Sequence, residues 1–163
     1  MLPSETGVCR YRTRSATLIG MQFDHVGLSV ADLDAQIAWY TEGFGLLEAN
    51  AFEIPPLGIR GTFLIGDGGI AIELLQREGS RPGLQAPDQA TALLTRGYGH
   101  ICLRVEDVDA TFARLLALGA ESRMPPSAAP EPGVRMCFIS DPEGNLIELI
   151  DRNEPVKAAR LPG

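Results

Sequence analysis

The chain has 163 residues, 45% of them hydrophobic, and a formal net charge of -7. Such a length and composition suit one globular domain or two half-domains sharing a core, and the acidic balance argues against a nucleic-acid surface, which needs a basic face. No run approaches the roughly eighteen apolar residues of a membrane span. Three cysteines, Cys9, Cys102 and Cys137, lack CxxC spacing and speak against a disulfide framework, pointing to a reduced, cytoplasmic compartment.

Residues 1–20 carry Arg10, Arg12 and Arg14 without an apolar stretch of signal-peptide length, and read as a mobile extension, with Met21 an alternative start. Phe23 to Val30 alternates, Val26, Leu28 and Val30 on one face and His25, Gly27 and Ser29 on the other, as a half-buried strand does. Asp32 offers an N-cap to a helix whose apolar stripe includes Leu33, Ile37 and Tyr40 and which stops near Gly43 and Gly45. Three strand-like runs follow, near Leu46 to Ile54, Ile59 to Ile65 and Ile70 to Gln76, the last two separated by the turn Gly66-Asp67-Gly68-Gly69. This first module spans residues 21–77 and reads β-α-β-β-β. Residues 78–97, rich in Gly, Pro and Gln, read as a linker with a helical turn in Gln89 to Thr95.

A second module, residues 98–152, begins with a strand that places Ile101, Leu103 and Val105 on one face and His100, Cys102 and Arg104 on the other. Asp107 caps a helix bearing Val108, Phe112, Leu115 and Leu116, which Gly119 ends. Met124 to Pro132 is proline-rich and predicts loop for part of its length, leaving only a short strand there. Met136 to Ser140 and Leu146 to Ile150 flank the turn Asp141-Pro142-Glu143-Gly144, and residues 153–163 form a loose tail.

The two modules are copies. His25 to Ala38 recurs 75 residues later as His100 to Ala113 with seven of fourteen positions identical, and Gly58 to Glu73 lies against Gly133 to Glu148 with six of sixteen identical, at the same offset. The chain's only two histidines, His25 and His100, thereby correspond, as do Glu73 and Glu148. Strand parity puts each histidine and each glutamate on the face opposite the helix. A glutamate in the middle of an apolar strand calls for a partner, and two histidines with two glutamates related by a pseudo-twofold axis supply one through a shared metal ion. Retention of the histidines without the metal is the plainer alternative. Trp39 lies on the helix and other aromatics are scarce, which speaks against an aromatic-lined cleft.

FDHVGLSVADLDAQIAWY, AIELL, GHICLRVEDVDATFARL and SDPEGNLIELID, spanning about Met21 to Asp151, resemble the vicinal oxygen chelate superfamily, which includes glyoxalase I, methylmalonyl-CoA epimerase, extradiol dioxygenases and bleomycin resistance proteins. The resemblance implies an α+β fold of two βαβββ modules forming a curled mixed sheet around a central cavity. It implies one divalent transition metal (Zn, Ni, Co, Mn or Fe) held by His25, Glu73, His100 and Glu148, with Glu148 or Glu73 as the base that moves a proton next to a carbonyl through an enediolate. Arg104, Ser29 and Cys102, on the same faces, are the candidate substrate contacts. A soluble homodimer with a small-molecule substrate is expected, with the site inside one chain or across two. The rivals are a bleomycin-resistance-type binding protein and an iron-dependent dioxygenase, the latter disfavoured by the extra Glu73. Ser29 and Arg77 stand where glutathione-dependent glyoxalases have arginine and asparagine, and Gly61 where epimerases have glutamate, so no particular substrate is implied.

Overall fold

A computed structural model of the chain describes residues 22–152. The extension over residues 1–20, the start at Met21, Cys9 and the tail over residues 153–163 lie outside the described residues. In order, the elements are β1 (Val26–Val30), α1 (Leu33–Phe44), β2 (Leu47–Ile54), β3 (Ile59–Gly66), β4 (Ile70–Arg77), the short α2 (Gln89–Ala92), β5 (Ile101–Arg104), α3 (Val108–Ala117), β6 (Glu121–Ala128), β7 (Arg135–Ser140) and β8 (Leu146–Asp151). They make two four-stranded mixed sheets of identical topology, β1-β4-β3-β2 and β5-β8-β7-β6. In each, the first strand runs parallel to the last, while the last three are an antiparallel meander.

Local chemistry sets these boundaries. Asp32 is extended, and its carboxylate accepts a hydrogen bond from the Ala35 amide at 3.0 Å; Asp107 does the same for Ala110 at 2.9 Å. Each satisfies an amide that the first helical turn cannot pair, a contribution of about 1 kcal/mol. Gly45 closes α1 in the left-handed conformation, φ 68°, where a Cβ would be strained. Two expectations require correction. The first strand starts at Val26 rather than Phe23, which is 80% exposed and packs on nothing that would extend the ladder. Of the stretch Met124 to Pro132, expected to be loop in part beside a short strand, the portion up to Ala128 belongs to the eight-residue β6 and only the remainder is irregular. Pro125 and Pro126 are tolerated there because β6 is an edge strand and its register on β7 slips between Met124 and Ser127, so no ladder donor is required of them.

The apolar alternates of both sheets and the helix stripes merge into one core, containing Val30, Leu33, Tyr40, Ile72 and Leu74 from the first module and Val108, Leu115, Ile139, Ile147 and Leu149 from the second. Each such side chain, taken fully out of water, contributes on the order of 1.5–3 kcal/mol. The modules are further tied together by polar contacts on this helix side. Tyr40 donates its hydroxyl to Asp141 Oδ2 at 3.1 Å, and the Glu143 carboxylate accepts from the Ala31 and Asp32 amides at 2.7 and 2.9 Å. Arg114 donates to the Gly43 carbonyl through Nε at 3.3 Å and Nη2 at 3.1 Å. The Asp141-Pro142-Glu143-Gly144 turn therefore does more than connect β7 to β8: it fastens the second module to the start of α1. Asp141 also accepts from the Glu143 and Asn145 amides and the Asn145 side chain. Burial nevertheless raises its carboxyl above the usual range, and burial beside that carboxylate holds the Tyr40 phenol well above its own. Residues of β1, of the linker and of the start of β5 border a cavity of about 240 Å³ whose walls include Leu28, Tyr40, Ile72, Leu84 and Ile101.

Candidate metal centre

With the core on the helix side, the opposite face of each sheet is left to the histidines. His25 stands just ahead of β1, and β1 lies on β4 with Gly27 opposite Glu73; β3 lies on the other side of β4 with Phe63 opposite Glu73. The second module repeats this build, with Cys102 and Phe138 opposite Glu148. His25 Nε2 is 3.5 Å from Glu73 Oε2 and His100 Nε2 is 3.0 Å from Glu148 Oε2. Both imidazoles present an edge or face to a phenylalanine at a centroid distance of 5.2 Å, Phe63 for His25 and Phe138 for His100, near perpendicular in each case. The rings are thus clamped alike by the same three strands.

The far nitrogen of each ring is also held. His25 Nδ1 is 2.6 Å from Asp24 Oδ1, and that hydrogen bond, with the Glu73 charge adding to it against some desolvation, raises the imidazole above its ordinary 6.5. His100 Nδ1 is 3.3 Å from the side-chain nitrogen of Gln89 on α2, whose buried amide oxygen has no other partner among the described residues. Turning that amide about its axis lets the oxygen accept Nδ1–H and leaves Nε2 a lone pair toward Glu148. Asp24 and Gln89 were not found from sequence. Asp24 has no acidic counterpart at Gly99, and Gln89 lies in the linker, which has no copy in the other module. The phenylalanines did leave a signal, since Phe63 and Phe138 match at the repeat offset.

The donors fit a metal. Nitrogen and oxygen ligands each about 2.0–2.2 Å from one ion stand roughly 3.0–3.5 Å from each other, the separation found in both pairs. What one chain brings together, however, is His25 with Glu73 and His100 with Glu148. Among the described residues no group of three or more His, Cys, Asp or Glu side chains is placed to hold an ion. The four residues expected to share one ion thus stand as two pairs, one on each sheet.

The substrate-contact candidates distribute unevenly. Ser29 is exposed on the first face, while Cys102 and Arg104 line the second. Burial and the neighbouring Glu148 carboxylate push the Cys102 thiol up to about 12, so it is a neutral wall group. Cys102 and Cys137 are both unpaired. The expectation of few aromatics at the site also needs correction, because Phe52, Phe63 and Phe138 lie along these faces; the first two are tilted against each other at 42°, with centroids 5.9 Å apart.

Twin βαβββ modules with a repeated histidine and glutamate pair define a class of paired-module proteins with oxygen- and nitrogen-donor sites. The chain belongs to the Glyoxalase/Bleomycin resistance protein/Dioxygenase superfamily, whose family model matches residues 22–149. It is 30% identical over 131 residues to a lactoylglutathione lyase of Arabidopsis thaliana, covering 80% of this chain and 44% of that one. To a lactoylglutathione lyase of Haemophilus influenzae it is 29% identical, over 80% of this chain and 93% of the relative. Its structure is similar to glyoxalase I of Zea mays, with a TM-score of 0.64 at 25% identity, again over 44% of the maize chain. The chain therefore spans less than half the length of the plant relatives it matches. Among the described residues no helix is long and apolar enough to cross a membrane.

Proposed function

We propose that the chain is a divalent-metal-dependent enzyme of the glyoxalase I and methylmalonyl-CoA epimerase type, a lyase or isomerase that moves a proton next to the carbonyl of a small acid, thioester or 2-oxoaldehyde adduct. The observation that carries the proposal is the twofold repetition of one donor pair, His Nε2 facing a glutamate oxygen with Nδ1 tied back, on corresponding positions of both modules. His25, Glu73, His100 and Glu148 are the ligands, and Zn, Ni, Co, Mn and Fe all suit such a set. An ion held by these four side chains would supply positive charge to a substrate oxygen on which negative charge develops. The protein's own part is the proton: a glutamate carboxylate takes it from the carbon beside the carbonyl, holds it, and returns it to the same or the adjacent carbon. Glu73 and Glu148 approach from opposite walls. The walls are unequal, since Gly27 leaves space where a Cβ would stand 3.3 Å from Glu73 Oε2, while Cys102 sets a thiol against Glu148. Lactoylglutathione lyase relatives support a thioester-forming or thioester-handling reaction, and Ser29 and Arg77 mark where the substrate's remote part would be read differently from glutathione.

Because each chain offers two half-sites, the complete site forms between two copies, the first face of one against the second face of the other. His25 and Glu73 then meet His100 of the partner subunit and Glu148 of the partner subunit. Elemental mass spectrometry of the dialysed protein tests this. About one metal per chain is expected, lost in His25→Ala and in His100→Ala alone. Mixing these two variants after brief dissociation regenerates one intact site per mixed dimer and recovers metal and exchange of the substrate α-proton with deuterium. Failure of the wild type to take up any of the five metals overturns the enzyme proposal, while single-copy sites predict no recovery on mixing.

A further inference from the structure

We infer that the end of the second face marked by Arg104 and Arg152 binds an anionic terminus of the substrate, a carboxylate or phosphate, remote from the reacting carbon; the inference rests on the metal reading above. On β5 the side chains of His100, Cys102 and Arg104 alternate with the core residues Ile101 and Leu103 and so share the open face. Four residues at about 3.3 Å each put Arg104 roughly 13 Å along the strand from His100. Arg104 pairs with Ile150 in the β5–β8 register, and Ile150 is followed two residues later by Arg152, so two guanidinium groups come to the same end of the wall. They border a depression of about 320 Å³ shared with Val105, Glu106 and Asp151.

The two arginines are not spent on the fold in the same way. Arg152 is held by Glu131, through Nε at 3.1 Å and Nη2 at 2.5 Å. Arg104 is exposed and has no ion-pair or hydrogen-bond partner among the described residues, whereas Arg60, Arg123 and Arg135 each engage a carboxylate. The repeat sharpens the contrast. Four residues beyond each glutamate stands an arginine, Arg77 and Arg152, but four residues beyond each histidine stand Ser29 in the first module and Arg104 in the second. One end of the second wall thus carries an additional free cation on a protein of net charge -7, with the planar fork that suits carboxylate and phosphate oxygens. A substrate with its carbonyl at the histidines and an anion about 13 Å away spans the distance; a small uncharged 2-oxoaldehyde does not.

The test uses metal-loaded protein and ω-carboxyalkyl hydroxamic acids of increasing chain length, whose vicinal oxygens chelate the ion, against the methyl ester of each, by isothermal titration calorimetry. Beyond a threshold length the free acid is expected to bind about tenfold or more tightly than its ester. That preference should vanish in Arg104→Gln, persist in part in Arg104→Lys, and shrink with salt, while ester affinity stays constant. Equal binding of acid and ester at every length, or a preference that survives Arg104→Gln, overturns the inference. If neither acid nor ester binds, the metal reading fails and takes the inference with it; the two failures differ in whether the esters still bind.

Discussion

The contact between α1 and α3 determines how the two faces are presented, and Gly43 is where it can be perturbed most cleanly. A Cβ added there would stand 2.6 Å from Leu115 Cδ2 and 3.9 Å from Leu118 Cδ1. Carbon contacts are comfortable only at about 3.5–4.0 Å, so Leu115 must retreat by about 1 Å, yet it is fully buried and has no solvent to move into. Overpacking of this kind costs about 1–3 kcal/mol. Alanine in place of a helical glycine returns about 0.8–1 kcal/mol. Gly43→Ala is therefore expected to destabilise by about 1 kcal/mol. Leu115→Ala alone should cost about 2–5 kcal/mol through the cavity it leaves. Combined, the new methyl enters that cavity, and Gly43→Ala becomes neutral or stabilising in the Leu115→Ala background. Urea unfolding of the four proteins, with unchanged m-values, gives the coupling directly. Additive effects would refute the seam, because they would mean that Gly43 and Leu115 do not touch.

Three further outcomes follow from the site and its supports. Asp24→Ala and Gln89→Leu should each weaken metal affinity about 10- to 100-fold while leaving the melting temperature nearly unchanged, measured by competition with a chromophoric chelator, because each removes only the group that orients a ligating ring. Gly61→Ala should cost about 1–3 kcal/mol in thermal or urea unfolding, since its Cβ would meet Phe52 Cζ at 2.6 Å and the Leu74 carbonyl oxygen, which is backbone and cannot yield, at 3.0 Å. Asp141 gives a pH dependence. Burial raises its folded pKa above the unfolded value near 3.9, so in the window between the two the native state binds more protons than the unfolded state, and its contribution falls as pH rises. The stability margin of the wild type over Asp141→Asn should therefore be largest near pH 4 and narrow toward neutrality, and a margin that widens instead would contradict it.

What the residues disclosed and what they withheld divide along a physical line. Alternation, N-caps and turn residues act within a few positions, so Asp32, Asp107, Gly45 and the Gly66–Gly69 turn announced themselves, and the 75-residue offset carried each assignment from one module to the other. The length of β6 was underestimated because proline composition reports the cost of a ladder donor, not whether the ladder asks for one; at an edge with a slipped register it does not. That each histidine and each glutamate lie on the face opposite the helix was legible from parity; that β1 lies beside β4, which sets each histidine against the glutamate of its own module, comes from the sheet order. The distance between the two pairs was not, because it depends on how the modules join. That junction is made by Tyr40 with Asp141, Glu143 with the start of α1, and Gly43 with Arg114 and Leu115. The Tyr40–Asp141 and Glu143 contacts cannot recur at the repeat offset, because Leu115, Gly66 and Gly68 stand where the other module has Tyr40, Asp141 and Glu143. The same repeat that revealed the donors was thus silent about whether they meet in one chain, and the mixing of His25→Ala with His100→Ala addresses that gap: recovered metal requires that the faces turned outward by the seam close on those of a second copy.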